Sequence, residues 1–130
     1  MFDPQEIFNR AYEGLRKQGF ELALSQGTCQ YRTEDGKRCA VGQLIPESKY
    51  RLEFENISIS AFDSETSDED KCKIDSIIHA AGLRPSQKVR IFLRHLQQCH
   101  DYGIDPADMK RRLNNFAAKH NLTIPTESQP

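Results

Sequence analysis

Residues 28–46 read TCQYRTEDGKRCAVGQLIP, and the fold expected for the chain depends on this stretch. Asp35 and Gly36 stand between two short runs, and glycine accepts the positive φ that a tight turn requires. The pattern predicts a β-hairpin with strands near 28–32 and 37–39. The mostly apolar run AVGQLI that follows favours a short helix over a buried strand.

Helical signals lie on both sides of this stretch. Asp3, Pro4 and Glu6 occupy the positions of an N-cap, a first helical residue and a capping-box carboxylate, which predicts a helix over about 4–18. Apolar residues at helical spacing predict two or three further helices in the C-terminal half. A weak alternation over 53–62 indicates a short strand.

Together these elements predict an α+β fold, namely a small, mainly helical single domain with a β-hairpin after the first helix. The domain is expected to span residues 1–122. The polar segment 123–130, which contains two prolines, is expected to form a frayed tail.

Composition excludes several classes of protein. The 130 residues carry 18 Lys and Arg against 19 Asp and Glu, so the net charge of −1 gives no overall attraction to nucleic acid. No apolar run approaches the ~20 residues that span a bilayer, so no membrane partner is expected. No signal-peptide pattern opens the chain, which favours the cytoplasm. The low apolar fraction of 37% implies a small core, which a homodimer interface could enlarge.

The segment from Cys29 to Pro46 has the pattern C-x-Y-R, then G-x-[KR]-C-A-V-G-x-L-I-P, and it resembles a family of small bacteriophage and prophage proteins of unknown function. The stretch 96–101, LQQCHD, is similar to a Leu-Gln-x-x-His-Asp stretch downstream in those proteins. The resemblance covers about two thirds of the chain. It implies a phage accessory protein in the cytoplasm of a host bacterium and supplies no catalytic residue. At position 43 this chain has Gln where the relatives often carry a small or thiol side chain.

The two cysteines of the motif allow three interpretations. In the favoured one, Cys29 and Cys39 are small buried residues that pack on the first helix, since free cysteine is among the most buried residue types. In the second, they belong to a zinc site, although their separation in sequence is wider than the close pairs usual in such sites. The candidate ligands for zinc are Cys29, Cys39, Cys72, Cys99, His79, His95, His100 and His120.

The third interpretation is a cysteine hydrolase or transferase. Cys39 would stand at a helix N-terminus, where the dipole lowers the pKa of a thiol. His100 would act as the general base, and Asp101 or another carboxylate would orient it. His100 also lies on the apolar stripe of its helix, where a satisfied core histidine is more common. The sequence therefore favours a protein that is not an enzyme, and no cofactor is expected.

Charge is unevenly distributed along the chain. Residues 63–70 carry five acids, including Asp68, Glu69 and Asp70, and are expected to form a solvated loop or the entry to a helix. Residues 84–112 are basic and include Arg90 and Arg94. Solvated helix faces are the simpler explanation of the basic residues. Nucleic-acid binding by two helices joined by a turn is the alternative.

The function expected from these observations is the binding of a host or phage protein, which the chain would inhibit or redirect. A host defence component is one possible target. The surfaces expected to carry this binding are the acidic loop, the edge of the hairpin and the basic helix face. Their residues are Tyr31, Arg32, Asp68, Glu69, Asp70, Arg90 and Arg94.

Overall fold

Four α-helices form the framework of the computed structural model, which describes residues 2–25 and 28–126. They are α1 (Pro4–Lys17), α2 (Asp68–Ala80), α3 (Gln87–Asp101) and α4 (Pro106–Lys119). The mainly helical character predicted from the sequence is confirmed. So are the position of α1 and the presence of three helices in the C-terminal half.

Each helix begins at a residue whose side chain accepts hydrogen bonds from the first turn. Asp3 accepts from the backbone N–H groups of Gln5 and Glu6 at the start of α1. Asp105 accepts from the N–H of Asp108 at the start of α4, where Pro106 occupies the first helical position. Such caps satisfy donors that have no partner inside the helix, so the boundaries follow from local sequence.

The β-hairpin predicted over 28–39 is not supported. Arg32 and Arg38 form one isolated antiparallel bridge there. The backbone N–H groups of Tyr31 and Arg32 are bound by the two carboxylate oxygens of Glu55, at 3.0 and 3.2 Å. A side chain from a distant part of the sequence therefore uses the Tyr31 N–H, a donor that an extended ladder would require.

The strand pairing in the described residues is very short. β1 (Leu24–Ser25) pairs antiparallel with β2 (Thr28–Cys29), with Leu24 opposite Cys29. β2 thus pairs with the chain that precedes it, whereas the sequence pattern predicted pairing with the chain that follows. The two residues between β1 and β2 lie outside the described part of the chain.

Between β2 and α2 the chain forms short 3₁₀ turns. The short helix predicted for the run AVGQLI is found as a 3₁₀ turn at Gly42–Leu44, and another turn lies at Glu47–Lys49. The strand predicted over 53–62 is wrong, because this part forms 3₁₀ turns at Leu52–Asn56 and Ile59–Ala61. The alternation of apolar residues there arises from turns that bury one residue each, Phe54 and Ile59.

The core lies between the helices and this irregular chain, which we call the linking segment (residues 18–25 and 28–67). α1 packs on the Gly42–Leu44 turn, while α3 packs on both Ile59–Ala61 and α4. The largest side chains that are fully buried are Tyr12, Phe8, Leu15, Leu44, Ile59, Ile74, Ile77, Ile78, Leu93, Leu96, Met109 and Leu113. α3 also buries two polar side chains, Gln97 and His100, and these face the linking segment.

The chain after α4 returns to α1. The side-chain amide of Gln5 donates to the carbonyl of Thr123, and the N–H of Thr123 donates back to Gln5, both at 2.9 Å. Arg16 donates to the carbonyl of Pro125 at 2.6 Å. The start of the predicted tail is therefore bound to the domain, and residues 127–130 lie outside the described part. Within residues 2–25 and 28–126, no helix has both the length and the apolar character to cross a membrane.

Candidate functional site

The reactive side chains that the fold brings together are Cys29, His100 and Asp101. One potential ligand atom from each lies within 4.8 Å of the other two. Cys29 comes from β2, and the other two residues end α3. Cys29 and Asp101 line a cavity of about 230 Å³, which Tyr31 and Glu55 also line.

His100 is buried, and both of its ring nitrogens have partners. Nε2 accepts a hydrogen bond of 2.9 Å from the backbone N–H of Ala23. Because an amide always carries its proton, Nε2 has none, and the ring proton lies on Nδ1. Nδ1 donates it to Oδ1 of Asp101 at 2.8 Å. His100 therefore anchors the start of the linking segment to α3, and it could act as a general base at Nε2 only by losing Ala23.

Oδ1 of Asp101 accepts hydrogen bonds from two uncharged donors. Gln97 donates from Nε2 to Oδ1 at 2.7 Å, beside the bond from His100. Burial alone would raise the pKa of Asp101, but these hydrogen bonds outweigh it and leave the pKa below its usual value. Gln97 in turn accepts from the N–H of Val41 at 2.8 Å. The network thus joins the end of α3 to two separate points of the linking segment.

Cys29 is half-buried and holds its thiol proton firmly. Burial, together with the charge and hydrogen bonding of Asp101, raises its pKa to about 12. A thiol in this state is a poor nucleophile near neutral pH, since the thiolate is the reactive form. The sequence pattern did not single out Cys29 as the thiol beside His100 and Asp101.

Cys39 occupies a different environment from the one predicted. Its side chain is fully buried, and Sγ accepts a hydrogen bond of 3.3 Å from the N–H of Gly42. The expectation that a helix N-terminus lowers the pKa of Cys39 is wrong, because burial raises this pKa far above its ordinary value. The turn at Gly42–Leu44 is also too short to supply a helix dipole of useful size. Cys39 fits a packing role.

Tyr31 and Arg32 connect parts of the linking segment. The Tyr31 hydroxyl donates to the carbonyl of Ile57 and accepts from the N–H of Ile59, both at 2.9 Å. Arg32 forms an ion pair with Glu47, and its guanidinium lies over a tyrosine ring, that of Tyr50, 5.4 Å from the ring centre. Tyr31 is buried, so of the predicted binding residues in the motif only Arg32 reaches the surface.

The acidic residues before and within the first turn of α2 are largely exposed. Asp68 and Glu69 are exposed, and Asp70 is half-buried. Lys73 lies 3.8 Å from carboxylate oxygens of both Glu69 and Asp70, at the outer limit of an ion pair. An open cavity of about 520 Å³ adjoins this surface, and its lining includes Phe62 together with Ile57, Asp63, Asp70 and Ile74.

The basic residues of α3 and α4 are largely engaged within the chain. Arg90 makes two hydrogen bonds with the carboxylate of Asp75, at 2.7 and 2.8 Å. Arg94 donates to the carbonyl of Phe62 at 2.9 Å. On α4, Arg111 and Arg112 both pair with Asp108. This face therefore offers less positive charge to a phosphate backbone than the sequence count indicated.

Comparison with known proteins supplies no relative. No protein-family model matches the chain, and searches of curated proteins and of solved structures return no significant match. The functional interpretation therefore depends on the chemistry of the site.

Proposed function

We propose that this protein binds another protein through its acidic surface, the segment 63–70 at the start of α2. The observation that carries the proposal is an exposed group of carboxylates beside an open cavity whose lining is mostly polar. Such a surface suits a partner segment that is rich in basic residues, because opposite charges guide association and favour the matching partner.

The charge distribution favours a protein over nucleic acid as the partner. Carboxylates repel the phosphate backbone, and three of the arginines that could attract it, Arg90, Arg111 and Arg112, are paired with Asp75 or Asp108. The buried anchor role of His100 and the raised pKa values of Cys29 and Cys39 weigh against a cysteine hydrolase. A binding protein is the function that this geometry supports best.

The resemblance of the motif at 28–46 to phage and prophage proteins suggests the setting of this binding. The chain would act in the cytoplasm of a host bacterium, on a host or phage protein that it inhibits or redirects. A component of host defence is one class of target. Capture from an extract of a bacterial host tests this proposal.

The experiment compares three forms of the tagged full chain in that extract. The variant Asp68→Lys/Glu69→Lys reverses two exposed charges of the acidic surface. The matched control, Glu13→Lys/Glu34→Lys, changes the net charge equally at exposed positions elsewhere. We expect the wild type and the control to retain the same stoichiometric partner, and the acidic-surface variant to lose it.

Two results would contradict the proposal. One is that the wild type retains no stoichiometric partner. The other is that the acidic-surface variant, with an unchanged unfolding midpoint, retains the partner as well as the control does. Measurement over a range of salt adds a check, because binding through exposed charges weakens as ionic strength rises.

A further inference from the structure

Cys29 and Asp101 carry side chains that bind metal ions, and His100 lies beside them. A thiol and a carboxylate are both ligands of Zn²⁺, with bond lengths of about 2.0–2.3 Å that place tetrahedral ligand atoms roughly 3.3–3.8 Å apart. The potential ligand atoms of the cluster lie within 4.8 Å of one another, so a shift of about 1 Å would bring them to coordinating distance. The cavity beside them leaves room for water at the remaining positions.

We infer that this cluster is a binding site for a borderline-soft divalent cation such as Zn²⁺, with Cys29 Sγ and the carboxylate of Asp101 as its protein ligands. The inference is independent of the acidic surface. Cys29 and Asp101 are far apart along the chain, so the sequence alone does not indicate that they could bind one metal ion together.

His100 acts in this site as a positioning residue. Its Nε2 is occupied by the N–H of Ala23 at 2.9 Å, and its Nδ1 proton lies on Oδ1 of Asp101. Coordination through Nδ1 would require the proton to move to Nε2, where it would face the amide proton of Ala23. The ring therefore orients the carboxylate, and groups in this position commonly change metal affinity by about 10–100-fold.

Binding replaces one proton with the metal ion. The thiol of Cys29 loses its proton to solvent as the metal–sulfur bond forms, and Asp101 is already ionised near neutral pH. No oxidant or reductant takes part. The cation takes the place of that proton between the sulfur and the carboxylate, whose potential ligand atoms lie within 4.8 Å of each other.

The test is titration of the full chain with Co²⁺, which reports thiolate ligation by a charge-transfer band, followed by competition with Zn²⁺. We expect a band in the wild type that Zn²⁺ removes. Cys29→Ser abolishes the band, and Asp101→Asn lowers the affinity by at least about tenfold. Cys72→Ser is the control, because Cys72 is exposed and lies outside the cluster.

Two substitutions separate a positioning histidine from a ligating one. In His100→Asn the side-chain amide can still donate near the position of Nδ1, so affinity stays within a few-fold of the wild type. His100→Gln extends toward Ala23 and loses the donor to Asp101, so affinity falls by about 10–100-fold. Thermal unfolding without metal verifies that both variants fold.

The inference is overturned if the folded wild type gives no charge-transfer band. It is equally overturned if Cys29→Ser keeps the band while Cys72→Ser loses it. If the two His100 variants fold and lose the same affinity, the assignment of His100 as a positioning residue is wrong.

Discussion

The helical framework and the linking segment are stabilised by different kinds of contact. The helices begin at side-chain caps and bury apolar stripes, of which Leu93 and Leu96 on α3 are fully buried. The linking segment has little repetitive hydrogen bonding of its own. Side chains that approach from a distance, Glu55, Gln97 and His100, satisfy its backbone instead. Every buried amide needs a hydrogen-bond partner. In this small domain the helices supply such partners locally, whereas the linking segment obtains them from side chains that are distant in sequence.

The largest effect is expected from Leu96→Ala in the helical framework. Leu96 is fully buried, and its truncation leaves a cavity, so the free energy of unfolding should fall by about 2–5 kcal/mol. Chemical denaturation measures this. Leu52→Ala is the control in the linking segment, because Leu52 is 79% exposed and its loss should cost less than about 0.5 kcal/mol. Equal losses would show that apolar burial does not distinguish the two sites.

A second substitution probes a close backbone approach in the linking segment. A Cβ atom at Gly42 would lie 2.0 Å from the carbonyl oxygen of Tyr31, so Gly42→Ala must move the backbone. We expect a loss of about 1–3 kcal/mol in the free energy of unfolding.

Gly14→Ala is the matched control for Gly42. A Cβ atom there would lie 2.2 Å from Oε1 of Gln43, which is the end of a flexible side chain that can turn away. Alanine also favours the helix by up to about 1 kcal/mol, so this variant should remain within about 1 kcal/mol of the wild type. A Gly42→Ala protein as stable as Gly14→Ala would refute the close approach.

How far the sequence predicts this structure follows from the same contrast. The start of α1 was predictable because Asp3, Pro4 and Glu6 act within one turn of the helix that they begin. The hairpin was not, because the donors of Tyr31 and Arg32 are bound by Glu55, which lies more than twenty residues away in sequence. A local sequence pattern gives no information on a distant side chain, such as Glu55, that competes for these donors.

The candidate site was predicted in part for the same reason. The sequence predicts His100 and Asp101 as hydrogen-bonded partners, and Nδ1 of His100 lies 2.8 Å from Oδ1 of Asp101. A catalytic role for the pair stays a prediction. Cys39 was chosen as their thiol, whereas Cys29 is the one beside them. Which cysteine lies beside His100 depends on the hydrogen bond from the N–H of Ala23 to the His100 ring. The spacing of residues in the sequence does not indicate that bond.

The third prediction concerns the polar connection between α3 and the linking segment. Gln97→Leu removes the acceptor of the Val41 N–H, and a buried donor without a partner costs about 1–3 kcal/mol. We expect the amide of Val41 to lose hydrogen-exchange protection relative to amides within α3. Gln98→Leu, on the same helix, removes a half-exposed donor to the carbonyl of Ser60 and should leave the Val41 amide protected. Equal protection of Val41 in both variants would contradict this account.

The smallest expected effect is the change of stability with pH, and it involves two histidines of the helical framework. Burial is the main cause that lowers the pKa values of His95 and His120, and neighbouring positive charges add to it. The unfolded chain therefore binds protons more readily, so stability should fall as the pH drops through about 6.5.

The comparison that isolates this effect is the double variant His95→Gln/His120→Gln. Its free energy of unfolding should change less between about pH 7 and 5 than that of the wild type. The lowered pKa values of Asp101 and Asp108 act at lower pH, since carboxylates lose charge below about pH 4. An identical pH dependence in the two proteins would remove the histidines from the explanation.

We conclude that His100 anchors the linking segment and is not a free base. The most direct measurement is the ¹⁵N NMR spectrum of the His100 ring near pH 7, where the shifts of the two nitrogens distinguish the tautomers. We expect a protonated Nδ1 and an unprotonated Nε2, with Nε2 coupled by a hydrogen bond to the amide of Ala23. A proton on Nε2, or a ring in rapid exchange between the two tautomers, would contradict it.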